Sequence, residues 1–209
     1  MSITAIPILP VASNNNSFNA TRLIEEASQT LLSGTPVSIA SGDGGVQAWT
    51  ANTQGPGQGG VIGISYEAGH NYASTGLGAP IPFQPLTGVG SSLTFGSVPN
   101  QSSAVNIPMG APFTDGRLGF ILPGADTVFS AVFGNNGSTA TPANTDVGKQ
   151  YGLTIDSNSK YWYVDKNKTT GGTNTVLTVV GLDPRDVPAA GTRVLFVFLQ
   201  NVINLVNVG

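Results

Sequence analysis

The chain has no cysteine, which excludes disulfide frameworks, thiolate metal clusters and cysteine nucleophiles. Charge is almost as scarce. Lys, Arg, Asp and Glu together form 9% of the 209 residues, and the formal net charge is -3, against about 25% charged residues in ordinary globular chains. So neutral a chain has no electrostatic grip on a phosphate backbone, which removes nucleic acid as a partner. The single histidine is His70. A histidine-based metal site would need carboxylates to complete it, and a catalytic triad would have to be built on that one residue. No apolar run reaches the roughly 20 residues of a membrane-spanning helix. The nearest, Val194 to Val208, is interrupted by Gln200, Asn201, Asn204 and Asn207. The apolar N-terminus has no basic leader and carries Pro7 and Pro10, which argues against a secretory signal and for a soluble protein made in a cytoplasm.

Glycine, proline and apolar residues are plentiful: 28 Gly, 14 Pro and 40% hydrophobic content. That content suffices for a core and fits one large all-β domain or two small ones. Between Gly44 and Thr114 the only formal charge is Glu67, yet the stretch holds half of the glycines and half of the prolines. A surface lacking the usual mixed charges lies against other protein, its own or a partner's.

Four zones follow from residue patterning. Residues 1–20 alternate Ile3, Ile6, Ile8 and Val11 with prolines and form an extended arm, either a frayed tail or a docking strand. Within 21–68, a small β-barrel portion, the spacing of Leu23, Ile24, Ala27 and Leu31 predicts a short helix over Phe18 to Leu32, ended by Gly34. Strands are expected at Pro36 to Ala40, Val46 to Thr50 and Val61 to Tyr66. Residues 69–113 form a Pro/Gly-rich extended segment with short edge strands at Ser92 to Phe95 and Ala104 to Ile107. Residues 114–209 read as a C-terminal barrel or sandwich, with strands at Leu118 to Leu122, Thr127 to Phe133, Tyr151 to Ile155, Tyr161 to Val164, Thr175 to Val180 and Arg193 to Leu199. Turn chemistry separates them, as at Asn135-Asn136-Gly137 and Asp183-Pro184.

Motifs for chemistry are sparse. His70 follows Ser65, Tyr66 and Glu67, but neither G-x-S-x-G nor H-E-x-x-H accompanies it, so it reads as a loop histidine. Asp43, Glu67, Asp115, Asp126, Asp146, Asp156, Asp165, Asp183 and Asp186 sit in turn-rich stretches or at strand ends, where side-chain to backbone hydrogen bonds account for them. Asp156 to Lys160 lacks the glycine and distant glutamate of a calcium loop and reads as a hairpin turn. The glycine clusters at 42–45 and 55–60 are not followed by Lys-Ser/Thr or a helix, as a phosphate loop requires. Trp49, Tyr66, Tyr72, Tyr161, Trp162 and Tyr163 serve core packing or, alternatively, a sugar-stacking platform. No catalytic, cofactor-binding or metal-ligating residue is assigned, and no cofactor is expected.

The run Leu32-Ser33-Gly34-Thr35-Pro36-Val37-Ser38-Ile39, then Gly45-Val46-Gln47-Ala48-Trp49, then Val61-Ile62-Gly63-Ile64-Ser65, resembles the small barrel of capsid cement, or decoration, proteins of tailed bacteriophages. Downstream segments, including Tyr151-Gly152-Leu153, Tyr161-Trp162-Tyr163-Val164-Asp165 and Arg193-Val194-Leu195-Phe196-Val197, are similar to C-terminal β units of phage virion proteins. The resemblance implies a non-enzymatic virion protein, made in the host cytoplasm, that binds the outer capsid surface and stabilises the head by surface burial and strand docking. Its implied partners are the major capsid protein and further copies of itself, as a trimer or other homo-oligomer. Ile3, Ile6, Ile8, Ile81, Phe83, Leu93, Phe95, Val105, Ile107 and Met109 are the candidate capsid or oligomer contacts. A tail, baseplate or head-fibre component, or a glycan-binding module, are the alternatives.

Overall fold

A computed structural model describes residues 2–13, 18–25, 31–39, 45–50, 60–69, 92–95, 105–108, 117–124, 126–169 and 175–203, with backbone alone for residues 24, 92–95, 105–108 and 117. The fold is all-β, as expected. The strands are β1 (Leu9–Ala12), β2 (Ala20–Ile24), β3 (Pro36–Ile39), β4 (Val46–Ala48), β5 (Gly63–Ser65), β6 (Ser92–Phe95) and β7 (Val105–Pro108). They continue as β8 (Arg117–Ile121), β9 (Val128–Asn135), β10 (Ser138–Thr139), β11 (Gln150–Ile155), β12 (Trp162–Thr169), β13 (Leu177–Leu182) and β14 (Arg193–Phe198). A 3-10 turn spans Asn144–Asp146.

Two curled sheets form the body. In the first, the order is β2-β8-β5-β3-β4, and a bridge between Glu25 and Val46 links the two outer strands. In the second, pairings run β9-β12-β11-β13-β14 and return to β9, a closed circuit of five strands, with β1 and β10 also on β9. Closure matters in a charge-poor chain, because it leaves few unpaired edges for unwanted strand addition.

Chain order and sheet membership do not coincide. The boundary expected at residue 114 would place β8 in the C-terminal unit, but β8 pairs with β2 and β5 in the first sheet. The arm, conversely, supplies β1 to the second. The two sheets also share a core: Trp49, Val61, Ile64 and Ile121 pack with Phe129, Phe133, Leu153, Trp162 and Phe196. A bridge from Val61 to Ile203 joins them through the backbone.

The helix expected over Phe18 to Leu32 is corrected in its described part: Ala20–Ile24 is a strand, paired residue for residue with Arg117–Ile121. A partner almost a hundred residues away outweighs the local helical spacing of Leu23 and Ile24, since five paired residues satisfy the backbone and bury a face at once. Gly34 does not end a helix. It lies in a turn at φ +77°, and a Cβ there would sit 2.5 Å from the Cβ of Pro7.

That approach marks the course of the arm. Ile3 N donates to Gly137 O at 3.1 Å and Ile8 N to Gly34 O at 3.0 Å, before Leu9–Ala12 pairs along β9. Pro10 is tolerated because β1 is an outer strand with a register shift after that residue. Ile3 and Ala5 form a cluster with Val132 and Tyr163, while Ile8 enters the main core. Over residues 2–13 the arm is thus docked on its own chain: Ile3 and Ile8, taken as candidate capsid contacts, are buried there, at 2% and 1% exposure. Ile6 is 38% exposed.

Ile8→Ala should lower unfolding stability by about 2–4 kcal/mol, the cost of deleting a buried isoleucine side chain. Ile6→Ala should stay within about 0.5 kcal/mol of the parent. Urea melts of the two variants check the contrast; equal effects would contradict the arm's placement.

Candidate functional site

The carboxylates were the first candidates for chemistry, and each described one of the C-terminal unit has a structural occupation. Asp146 is fully buried and accepts from Tyr151 Oη at 2.8 Å and Ala143 N at 2.9 Å. That bond and burial push the Tyr151 hydroxyl pKa well up, burial being the larger cause. Asp165 accepts from Asn136 N, Asn167 N and Thr154 Oγ1. Asp183 holds the guanidinium of Arg185 and the hydroxyl of Ser130, while Asp186 takes both arms of Arg193 at 2.8 and 2.9 Å.

Asp156 organises the turn between β11 and β12, accepting from Ser159 Oγ at 2.6 Å, from Asn158 N and Ser159 N, and from Ala5 N of the arm. The Ser159 hydroxyl is the main cause that holds its carboxyl down at about 2. Hairpin chemistry thus governs this segment, in line with the sequence reading. Among the described residues no group of three or more Asp, Glu, His or Cys is placed to hold a metal ion. His70, Asp43 and Asp115 lie outside the described residues.

The aromatic residues divide in the same manner. Trp49 and Trp162, far apart in sequence, meet with ring centroids 5.0 Å apart at a tilt of 42°. Both are buried, so their faces pack on each other and the core rather than forming an open platform. Tyr163 is buried against the arm and its Oη accepts from Gly137 N. Tyr66 is 45% exposed and lies over Gly119. Tyr72 lies outside the described residues.

Two places remain where the molecule could meet something else. One is the root of the charge-poor segment. Strands β5 and β8 are adjacent, Ile64 opposite Ile121 and Ser65 opposite Phe120, so the chain from Tyr66 to Gly116 leaves and rejoins the sheet at one point. Glu67 fastens that point, accepting from Arg22 Nη2 at 2.8 Å and Gly119 N at 2.5 Å. Glu67, the one formal charge between Gly44 and Thr114, is therefore committed to that base.

Within the excursion, β6 and β7 pair with each other and with no other described strand. Leu93 stands opposite Ile107 and Phe95 opposite Val105, which places these four candidate contacts on one face of the hairpin by the two-residue period of a strand. Ile81, Phe83 and Met109 lie outside the described residues.

The other place is a cleft of about 360 Å³ where the two sheets meet. Leu31, Leu32, Thr35, Ala48 and Trp49 line it from the first, and Ile155, Lys160 and Trp162 from the β11–β12 hairpin of the second. No local pattern announces this cleft, because its walls come from segments more than a hundred residues apart.

No family model, curated protein or solved structure matches the chain.

The depressed carboxylates set a pH dependence. Asp156, Asp183 and Asp186 bind protons less readily folded than unfolded, so their stabilisation is full above the ordinary aspartate value of about 4. It fades as pH falls toward about 2. Unfolding free energy should be level from neutral pH to about 5 and fall steeply between about 4 and 2. Asp156→Asn should be less stable at neutral pH and show a shallower acid slope in denaturant melts across that range.

Proposed function

We propose that the chain is a non-enzymatic structural protein of a phage virion, a capsid cement protein that stabilises the head by laying its charge-poor excursion on neighbouring subunits. One observation carries the reading. A long charge-poor segment is inserted between two hydrogen-bonded strands, its Glu67 tied up at the base, and its described hairpin carries Leu93, Phe95, Val105 and Ile107 at positions of one face. Such a graft can change without disturbing the barrel that bears it, which suits a part whose shape answers to a partner. Burial of apolar area, at about 25 cal/mol per Å², and strand addition along a hairpin edge supply the binding energy. The occupation of the buried carboxylates by structural hydrogen bonds favours this reading over hydrolysis. The resemblance of the β3 to β5 region to cement barrels supports it further.

Purified protein added to heads assembled without it should bind and raise their resistance to heat and low salt. Replacing residues 71–114 by a short Gly/Ser linker should leave the cooperative unfolding transition in place, because strands β5 and β8 on either side are paired with each other and a shorter loop closes more easily. The same variant should lose head binding. Absence of binding by the parent protein would sink the proposal, and binding confined to tails would move it to the tail or baseplate reading.

A further inference from the structure

The cleft between the sheets plays no part in that proposal. Its volume of about 360 Å³ falls within the range of small-molecule sites, which are mainly apolar with a few polar groups and favour junctions between structural units. Leu31, Ala48, Trp49, Ile155 and Trp162 provide the apolar walls, and Lys160 is the one charged residue among those that line it.

Lys160 is unusual in two respects. It ends the Asp156–Lys160 turn at φ +65°, in the left-handed region where glycine or asparagine is the ordinary choice. A turn selected for folding alone would place glycine there. Its ammonium is exposed and makes no ion pair among the described residues, so its charge is available to a ligand. Of the same lining, the indole Nε1 of Trp49 is buried with no hydrogen-bond acceptor. A buried orphan donor is rare in folded proteins and points to a missing acceptor.

We propose that the cleft binds a small amphipathic carboxylate, with its alkyl or aryl body against Trp49, Trp162 and Ile155 and its carboxylate on the ammonium of Lys160. The charge of the site selects the head group. Lys160 is exposed to solvent, so a cation would be repelled by it and a neutral apolar molecule would gain nothing from its charge. A single lysine matches a single negative charge, and the confined volume suits a molecule rather than a peptide strand. This inference stands apart from the capsid reading, and neither fails with the other.

Trp49 and Trp162 are the only tryptophans of the chain, and both line the cleft, so intrinsic fluorescence of the full-length protein reports occupancy without a label. Titration with octanoate should give a saturable change in emission, with 1-octanol and octylammonium each at least about tenfold weaker, the size of one charge-assisted hydrogen bond. Lys160→Gly relieves the left-handed turn and should melt no lower than the parent, while its octanoate affinity falls about tenfold to the level of octanol. Lys160→Met serves as a second variant that keeps the aliphatic stem. The proposal is overturned by an absence of saturation with octanoate, by octanol binding as tightly, or by unchanged octanoate affinity in both folded variants.

Discussion

Strand β9 is the element on which the rest of the molecule depends. It pairs with β14, β12, β1 and β10, and no other strand has as many partners. Its faces are both covered: Phe129, Ala131 and Phe133 point into the shared core, while Val132 meets Ile3, Ala5 and Tyr163 under the arm. A strand that bonds on both edges and is buried on both faces cannot slip by one residue without exposing all of one set. Gly134 makes the seating of the arm possible, since a Cβ there would lie 2.3 Å from Ile3 Cδ1 and 2.8 Å from Tyr163 Cδ2. The N-terminal residues are therefore the outer wall of this strand, and their apolar character answers to β9 before any partner.

Scarce charge has been placed where the chain changes direction. Asp183 with Arg185 and Asp186 with Arg193 fasten the loop between β13 and β14. Asp156 fastens the β11–β12 turn and also catches Ala5 of the arm. Glu67 and Arg22 fasten the root of the excursion. Exposed ion pairs contribute little, about 0–1 kcal/mol each, so their value here is geometric. The buried carboxylates matter more, because deleting one partner of a buried hydrogen-bonded charge leaves the other uncompensated, at a cost of about 3–5 kcal/mol. A sequence with 9% charged residues can still be tightly specified when those residues sit at its corners.

Much of the β architecture is legible in the sequence, for a local reason. The runs at Pro36, Ser92, Tyr151 and Arg193 alternate or cluster β-branched and aromatic residues between turn signals, and the strands there match to within a residue or two. What fails are features decided by distant partners. Strand β2 looks helical because Leu23 and Ile24 continue into a 3.6-residue spacing, and only β8 reveals it as a strand. The arm looks free because nothing near it in sequence shows Gly34, Gly134 and Gly137 waiting for it. The aspartates are readable as turn residues, yet the arginine forks on Asp183 and Asp186 are not. Trp49 and Trp162 can be noted singly, whereas their meeting and the cleft beside them arise only from the docking of one sheet on another.

Local preference and tertiary structure agree through most of this chain, which gives weight to the places where they conflict. Glycine stands at the left-handed positions Gly34, Gly137, Gly148 and Gly191, where it relieves the backbone, and Asn136 is the familiar substitute in a tight hairpin. Lys160 breaks that rule in a turn whose other demands are met by Asp156 and Ser159. The long charge-poor insertion breaks another, since the neighbouring strands β5 and β8 need only a short link between them. Departures of this kind in a chain that otherwise satisfies its folding constraints are where a role beyond folding is to be sought. At the insertion the departure is one of composition, a long run with little charge between two paired strands. At the cleft it is one of backbone, a lysine in the left-handed region among residues that line an otherwise uncharged cleft.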